Sequence, residues 1–221
     1  MSSLKLKHSS GNGTIINAPA ANPSADITLK VPSTTGTAGH YLKVASANHS
    51  STNAELEWAA VATGGLTDAD QWRITSDFTG SADPVTSNWE RTDYAGFAKI
   101  GDGMHESSGV FTFPSTGVWL VNAQMLARKA GNASYLLLYI HWANDGTNYT
   151  NISHGVGSIG EVPSNTWYGS AQCDAIVNVT AKHGDTNAQK VRVNMSSEGA
   201  IVNGNSGMQC SGLTFIKLGD V

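Results

Sequence analysis

Positions 108–121 read SGVFTFPSTGVWLV, two short apolar runs on either side of a Pro-Ser-Thr-Gly turn. In the first run Phe111 and Phe113 fall on one face and Thr112 on the other, the two-residue period of a strand whose sides differ. Pro114 removes a ladder donor, and Gly117 can take a backbone conformation closed to other residues, so the chain bends there and starts again. In the second run Val118 and Leu120 face one way, Trp119 and Val121 the other. Both faces are apolar. In a two-layer antiparallel protein one face belongs to the core, so the other must meet a second sheet edge, a covering loop or another subunit.

The same reading predicts strands over 71–78, 97–100, 109–113, 118–127, 134–142, 148–154, 166–180, 189–195 and 208–218, enough for an antiparallel sandwich. SYLLLYIHWANDGTNYTNIS is the clearest hairpin, with Asn144, Asp145 and Gly146 supplying the turn. The stretch 122–133, NAQMLARKAGNA, is rich in helix formers. A strand is preferred there, because Val121, Ala123, Met125 and Ala127 keep the two-residue period, with a turn near Gly131 and Asn132.

Residues 1–66 are different material. LKLK, TII, ITLKV, YLKV and LEWAAV are brief β-forming pieces separated by polar, Gly- and Pro-punctuated stretches, and none is long enough to close a core. Ile27, Leu29 and Val31 share one face, which neighbouring copies could wall; a disordered leader is the alternative that this composition permits. Gly64 and Gly65 look like a hinge. The chain is therefore divided into an attachment or shaft segment, 1–66, and a head, 67–221.

Composition narrows the function classes. The 221 residues carry 13 Lys and Arg against 17 Asp and Glu, a formal charge of −4, which offers no footprint for nucleic acid. Charged residues make up 14% of the chain, below the ordinary value of about 25%, so hydroxyls and amides carry solubility. No run approaches the roughly 20 apolar residues of a membrane span, and the first residues lack a signal-peptide core, so neither membrane insertion nor secretion is expected. Cys173 and Cys210 sit in strand-like runs and are read as two buried thiols, not a bridge. The seven His residues have no zinc-ligand spacing, and no HExxH, CxxC, GxSxG or phosphate-cradling loop occurs. No enzyme, metal or cofactor is proposed from these residues.

Taken in order, GVFTFPSTGVWLVNAQM, the upstream Asn88, Tyr94 and Phe97, LLLYIHWANDG and MQCSGLTFIKL resemble the strands of the jelly-roll heads shared by complement C1q and the tumour necrosis factor ligands. The resemblance spans about residues 70–218. It departs from the family in HGDTNAQKV, a loose echo of a Gly-Asp turn, and at Leu213, where an aromatic is common. It implies an all-β jelly roll and a homotrimer, with Phe97, Phe111, Trp119 and Val121 as candidate subunit-interface residues. The segment ITLKVPSTTGTAGHYLKVASANHSSTNAELEWA resembles a short module of tail-fibre and virion-appendage proteins of tailed bacteriophages, cyanophages in particular. It implies a virion protein assembled in a bacterial cytoplasm and joined to other virion proteins through its amino-terminal segment.

Function is then read as that of a trimeric fibre-like appendage, a tail-fibre tip or short head fibre, binding a host-surface glycan or protein. Candidate ligand residues are Trp142, Asn144, Asp145, Tyr149, Trp167 and Tyr168, placed by the sequence beside the 144–146 turn and the 163–169 loop. A capsid decoration protein is the alternative. A secreted lectin lacks its expected leader, and a depolymerase would need a carboxylate pair that no spacing here proposes.

Overall fold

The computed structural model of the protein describes residues 3–7, 13–17, 28–45, 50, 53–60, 65–130, 133–160 and 167–220. The chain divides into two compact units, Met1–Gly64 and Gly65–Val221. Among the described residues every regular element is a strand.

In the first unit β1 (Ser3–Lys7) pairs with β2 (Gly13–Asn17). A three-stranded sheet follows, made of β3 (Thr28–Lys30), β4 (His40–Val44) and β5 (Asn53–Ala60), with β5 central, parallel to β3 and antiparallel to β4. Lys43 and Glu57 are directly opposed and form an ion pair at 2.9 Å. Trp58 donates its indole N–H to the Thr34 carbonyl at 2.8 Å, and its ring lies so close to Gly36 that a Cβ there would collide with it. Among the described residues this sheet encloses no interior: Leu29, Val31, Tyr41, Leu42 and Val44 are all exposed, and Ala45 is the one buried apolar residue of the unit.

The head is a two-sheet sandwich. Its elements are β6 (Ala69–Ile74), β7 (Phe78–Thr79), β8 (Trp89–Arg91), β9 (His105–Ser107), β10 (Val110–Thr112), β11 (Gly117–Arg128), β12 (Tyr135–Ala143), β13 (Tyr149–Ser158), β14 (Tyr168–Val179), β15 (Lys190–Ser197), β16 (Ile201–Val202) and β17 (Gly212–Gly219). One sheet runs β13-β12-β15-β10-β9; the other runs β7-β16-β11-β17-β6-β8, with β14 along the free side of β11. Strands sequential in space but not in sequence give the crossed-over connectivity of a jelly roll. Gly117, at φ 138°, starts β11 where a Cβ would strike the Gly219 carbonyl. At the edge where β13 meets β14, side chains at positions 155 and 157 would run into the Gln172 and Ser170 carbonyls, so glycine lets the two sheets close there.

Alternation on β11 decides which residues are inside. Trp119, Val121, Ala123, Met125 and Ala127 point into the core, and Val118, Leu120 and Leu126 point outward. This corrects the interface expectation at three positions. Phe111, Trp119 and Val121 are fully buried within one chain, because their rings and methyls fill the gap between the sheets. Phe97 is half-buried and lies outside any strand. The Tyr94–Phe97 stretch turns on Gly96 at φ 98°, so the predicted 97–100 strand is reduced to a bridge between Ile100 and Ala69. The 122–133 stretch is strand as far as Arg128; the turn expected at Gly131 and Asn132 lies outside the described residues, as do Ile27, Gly64 and most of the 163–169 loop.

The core centres on aromatic rings from both sheets. Phe111 lies 5.5 Å from Trp72, 5.1 Å from Trp89 and 5.4 Å from Phe215, while Phe113 lies 5.2 Å from Trp119 and 5.7 Å from Trp142. Phe111→Ala is expected to destabilise the head by about 3–5 kcal/mol, read as a lowered urea midpoint. Tyr94→Ala, at an exposed position, is expected to leave the midpoint within about 0.5 kcal/mol of the parent.

Candidate functional site

Strand directions place the sequence-selected residues at two ends of the head. β14 runs antiparallel to β11, so Gly117 faces Val179 at one end and Arg128 faces Tyr168 at the other. The first end also carries Gly219 and, through Ile216 and Ala69, the start of β6. β12 begins at the second end, where Tyr135 opposes Ser158 and Ser158 lies against Gly169. Its far end, about 26 Å away, carries the 144–146 turn. The 144–146 turn and Trp167–Tyr168 therefore do not form one surface, as the sequence had suggested, because β12 separates them.

At the first end the polar groups serve the fold. Trp142 is 9% exposed and inward-facing, packed on Phe113, so it is a core residue. Asn144 accepts from Gln189 Nε2 at 2.6 Å, and Gln189 in turn accepts the Thr180 amide at 2.6 Å. Asp145 accepts the Asn148 and Thr147 amides at 2.7 and 2.9 Å. The Asn148 amide above all, with the Asn148 side chain and the Thr147 amide, holds the Asp145 carboxyl well below the usual carboxylate range. Tyr149 is half-buried beneath the Arg192 guanidinium, 3.9 Å from its ring centre.

At the second end Trp167 and Tyr168 are exposed, 42% and 56%, the first beside Gly160 and the second opposite Arg128. Of the six ligand candidates these two alone present large aromatic surface to solvent.

The sequence reading missed a third surface. Across the outer face of the seven-stranded sheet, register aligns Ile176, Leu120, Ile216, Ala69 and Ile100 on neighbouring strands. Ile176 is 66% exposed, and Leu218 and Ile100 are also exposed. The signal was present in the alternation at 118–121; which of its two faces pointed outward was not.

A cavity of about 660 Å³ lies between Trp72, Arg91, His105, Val110, His183 and Lys190. Its cationic groups are engaged: Arg91 bonds Asp70 at 3.0 Å and the Met104 carbonyl at 2.6 Å, and Lys190 bonds the Gly146 carbonyl at 3.0 Å. His105 stacks on His183 at 3.7 Å, and burial, followed by the charge of His183, lowers its pKa. Among the described residues no group of three or more His, Cys, Asp or Glu side chains is placed to hold a metal ion.

No protein-family model matches the chain, and no curated protein sequence matches it. Solved structures do. An Eiger TNF from S. frugiperda superposes with a TM-score of 0.54 at 14% identity, covering 71% of this chain and 96% of that one. Murine APRIL, crystallised at pH 5.0, gives 0.47 at 12% identity, covering 68% and 98%. The head has a TNF-like jelly-roll fold. At these identities the likeness is one of fold.

Both cysteines are free. Cys173 is buried on the inward side of β14, its thiol directed at the Leu138 carbonyl at 3.7 Å, and burial pushes its pKa up to about 11. Burial also raises Cys210, which is half-buried. A pKa near 11 in place of 9.0 cuts the thiolate fraction at pH 8 by about 100-fold. A disulfide-exchange reagent at that pH is therefore expected to label Cys210 first and Cys173 only in denaturant, for two thiols in all. Equal native labelling of both would contradict the burial of Cys173.

Proposed function

We propose that the protein is a structural component of a phage virion: a homotrimeric, fibre-like appendage that joins other virion proteins through its Met1–Gly64 unit. Its head binds a host-surface glycan or protein through the end bearing Trp167 and Tyr168. The observation that carries this reading is the unequal burial in the two units. The head has a complete core, whereas the three-stranded sheet of the first unit exposes Leu29, Val31, Tyr41, Leu42 and Val44. A sheet with no interior gains one when identical chains pack against it, and closed three-fold symmetry supplies two further copies.

The outer row at Ile176, Leu120 and Ile216 supports the same assembly from the head, since exposed contiguous apolar surface marks association sites. The phage assignment rests on the resemblance of the ITLKV to LEWA segment to tail-fibre modules. The pieces that carry that resemblance have structural work here: YLKV and LEWA pair strand to strand, with Leu42 opposite Trp58. Trp167 and Tyr168 lie at the end opposite the start of β6, and large exposed aromatics of this kind anchor sugars or protein pockets.

Light scattering of the purified full chain is expected to give the mass of a trimer, and Leu120→Asp combined with Ile176→Asp to reduce it. A parent that is a stable monomer at micromolar concentration would overturn the assembly. Trp167→Ala with Tyr168→Ala is expected to weaken cell binding by about 2 kcal/mol or more while leaving the oligomer mass unchanged. Unchanged adsorption by that folded variant would remove this end from the binding site. Failure of the parent protein to bind cells or compete for them would favour the capsid decoration reading instead.

A further inference from the structure

On the outer face of the five-stranded sheet a second cavity, about 350 Å³, is lined by Asp83, Tyr139, His141, Asn151, Asn194 and Ser196. A strap of chain forms one wall: Ala82 exchanges two backbone hydrogen bonds with Met195, each 2.8 Å, and the Val85 amide reaches the Val193 carbonyl at 2.9 Å. β15, β12 and β13 form the floor, with Tyr139 between Asn194 and His154, and His141 opposite Asn151. The volume falls in the range of small-ligand pockets.

The polar groups here differ from those in the larger cavity, because two have nothing to bond. Asn194 is 6% exposed; its Nδ2 donates to Asp83 Oδ1, and its Oδ1 has no hydrogen-bond partner among the described residues. Nδ1 of His141 is buried and equally without a partner. Buried polar atoms are normally satisfied, and leaving them bare forfeits their hydration without return. Burial, then the charge of Arg192, lowers the His141 pKa from its ordinary value, with Asp83 and a hydrogen bond donated to Asn151 opposing. The shift favours the neutral imidazole, which leaves Nδ1 as the ring nitrogen available to a ligand.

The donor set selects the ligand class. Asp83 is the one carboxylate, and it repels anions. A hard cation seeks six or more oxygens, which this mix of amide, imidazole and a single carboxylate does not supply. Vicinal hydroxyls fit: they donate to Asp83 and to Asn194 Oδ1, and accept from the Asn151 amide. The Tyr139 ring, beside His154 at 5.8 Å and 25°, gives an aromatic wall for the C–H face of a pyranose. We propose that this cavity binds one neutral monosaccharide unit, a hexopyranose or N-acetylhexosamine, through Asp83, Asn151, Asn194 and His141 against Tyr139. The site lies on the side of the sandwich, away from Trp167 and Tyr168 and on the opposite sheet from the apolar row. It does not depend on the protein being a virion component.

The test uses the purified full chain and no cells. Saturation-transfer NMR and calorimetric titration are run with a panel of neutral hexoses and N-acetylhexosamines, with glycerol and inorganic sulfate as controls. At least one pyranose is expected to bind in the millimolar range, with sulfate and glycerol silent. Asn151→Ala, at an exposed position, and His141→Phe are each expected to weaken that binding at least tenfold while keeping the parent urea midpoint. The proposal is overturned if no sugar of the panel binds, if glycerol binds as well as the sugars, or if both variants retain binding. Sugar binding together with failed cell adsorption would sink the attachment reading alone, and adsorption without sugar binding would sink this site alone.

Discussion

Two phenylalanines from the five-stranded side, Phe111 and Phe113, push their rings between the sheets and meet Trp72, Trp119 and Phe215 from the other. These edge-on and tilted contacts occupy the space between two layers about 10 Å apart. They also fix register. A slip of one residue on β11 would exchange Trp119 and Val121 for Val118 and Leu120 across the whole length of the strand. Every outward surface of the head, including the apolar row and the Tyr139–His141 side, takes its identity from that inward choice.

Around this core the short strands are positioned by charge. Asp70 is buried and accepts from the Trp72 indole at 2.9 Å, the Met104 amide at 2.8 Å and Arg91 at 3.0 Å. Arg73, also buried, bonds Glu90 at 2.8 Å and Asp93 at 2.5 Å. Removing one member of such a set leaves its partner uncompensated in low dielectric, which makes the network restrictive. It ties β6 to β8 and to the chain before β9, where the apolar pattern alone is too brief to hold a strand.

The head thus presents three chemically distinct surfaces. An apolar row on one sheet suits self-association, a polar cavity on the other suits a hydroxyl-rich ligand, and an aromatic pair lies at one end. Separation matters for function. An assembly that covers the apolar row leaves the opposite sheet and the Trp167–Tyr168 end free, so association and recognition need not compete for the same side chains.

The alternating runs at 109–113, 118–127 and 134–142 and the Asn-Asp-Gly turn were enough to determine an antiparallel sandwich, because the two-residue period and turn chemistry are local properties. The strand through Met125 was legible for the same reason, despite its helix-forming residues. The short strands at Trp89–Arg91, His105–Ser107 and Ile201–Val202 were not, since partners distant in sequence hold them. The two apolar faces of 118–121 were also visible, but their assignment was reversed for Trp119 and Val121, as parity is set by rings contributed from other strands. Trp142 read as a turn-flanking aromatic and proved to be core, again by alternation against Phe113. Tertiary structure alone separated the 144–146 turn from Trp167 and Tyr168, because β12 carries them to opposite ends. It alone brought Asp83, His141 and Asn194 together, since cross-strand pairing and a backbone strap join residues that no spacing in the sequence relates.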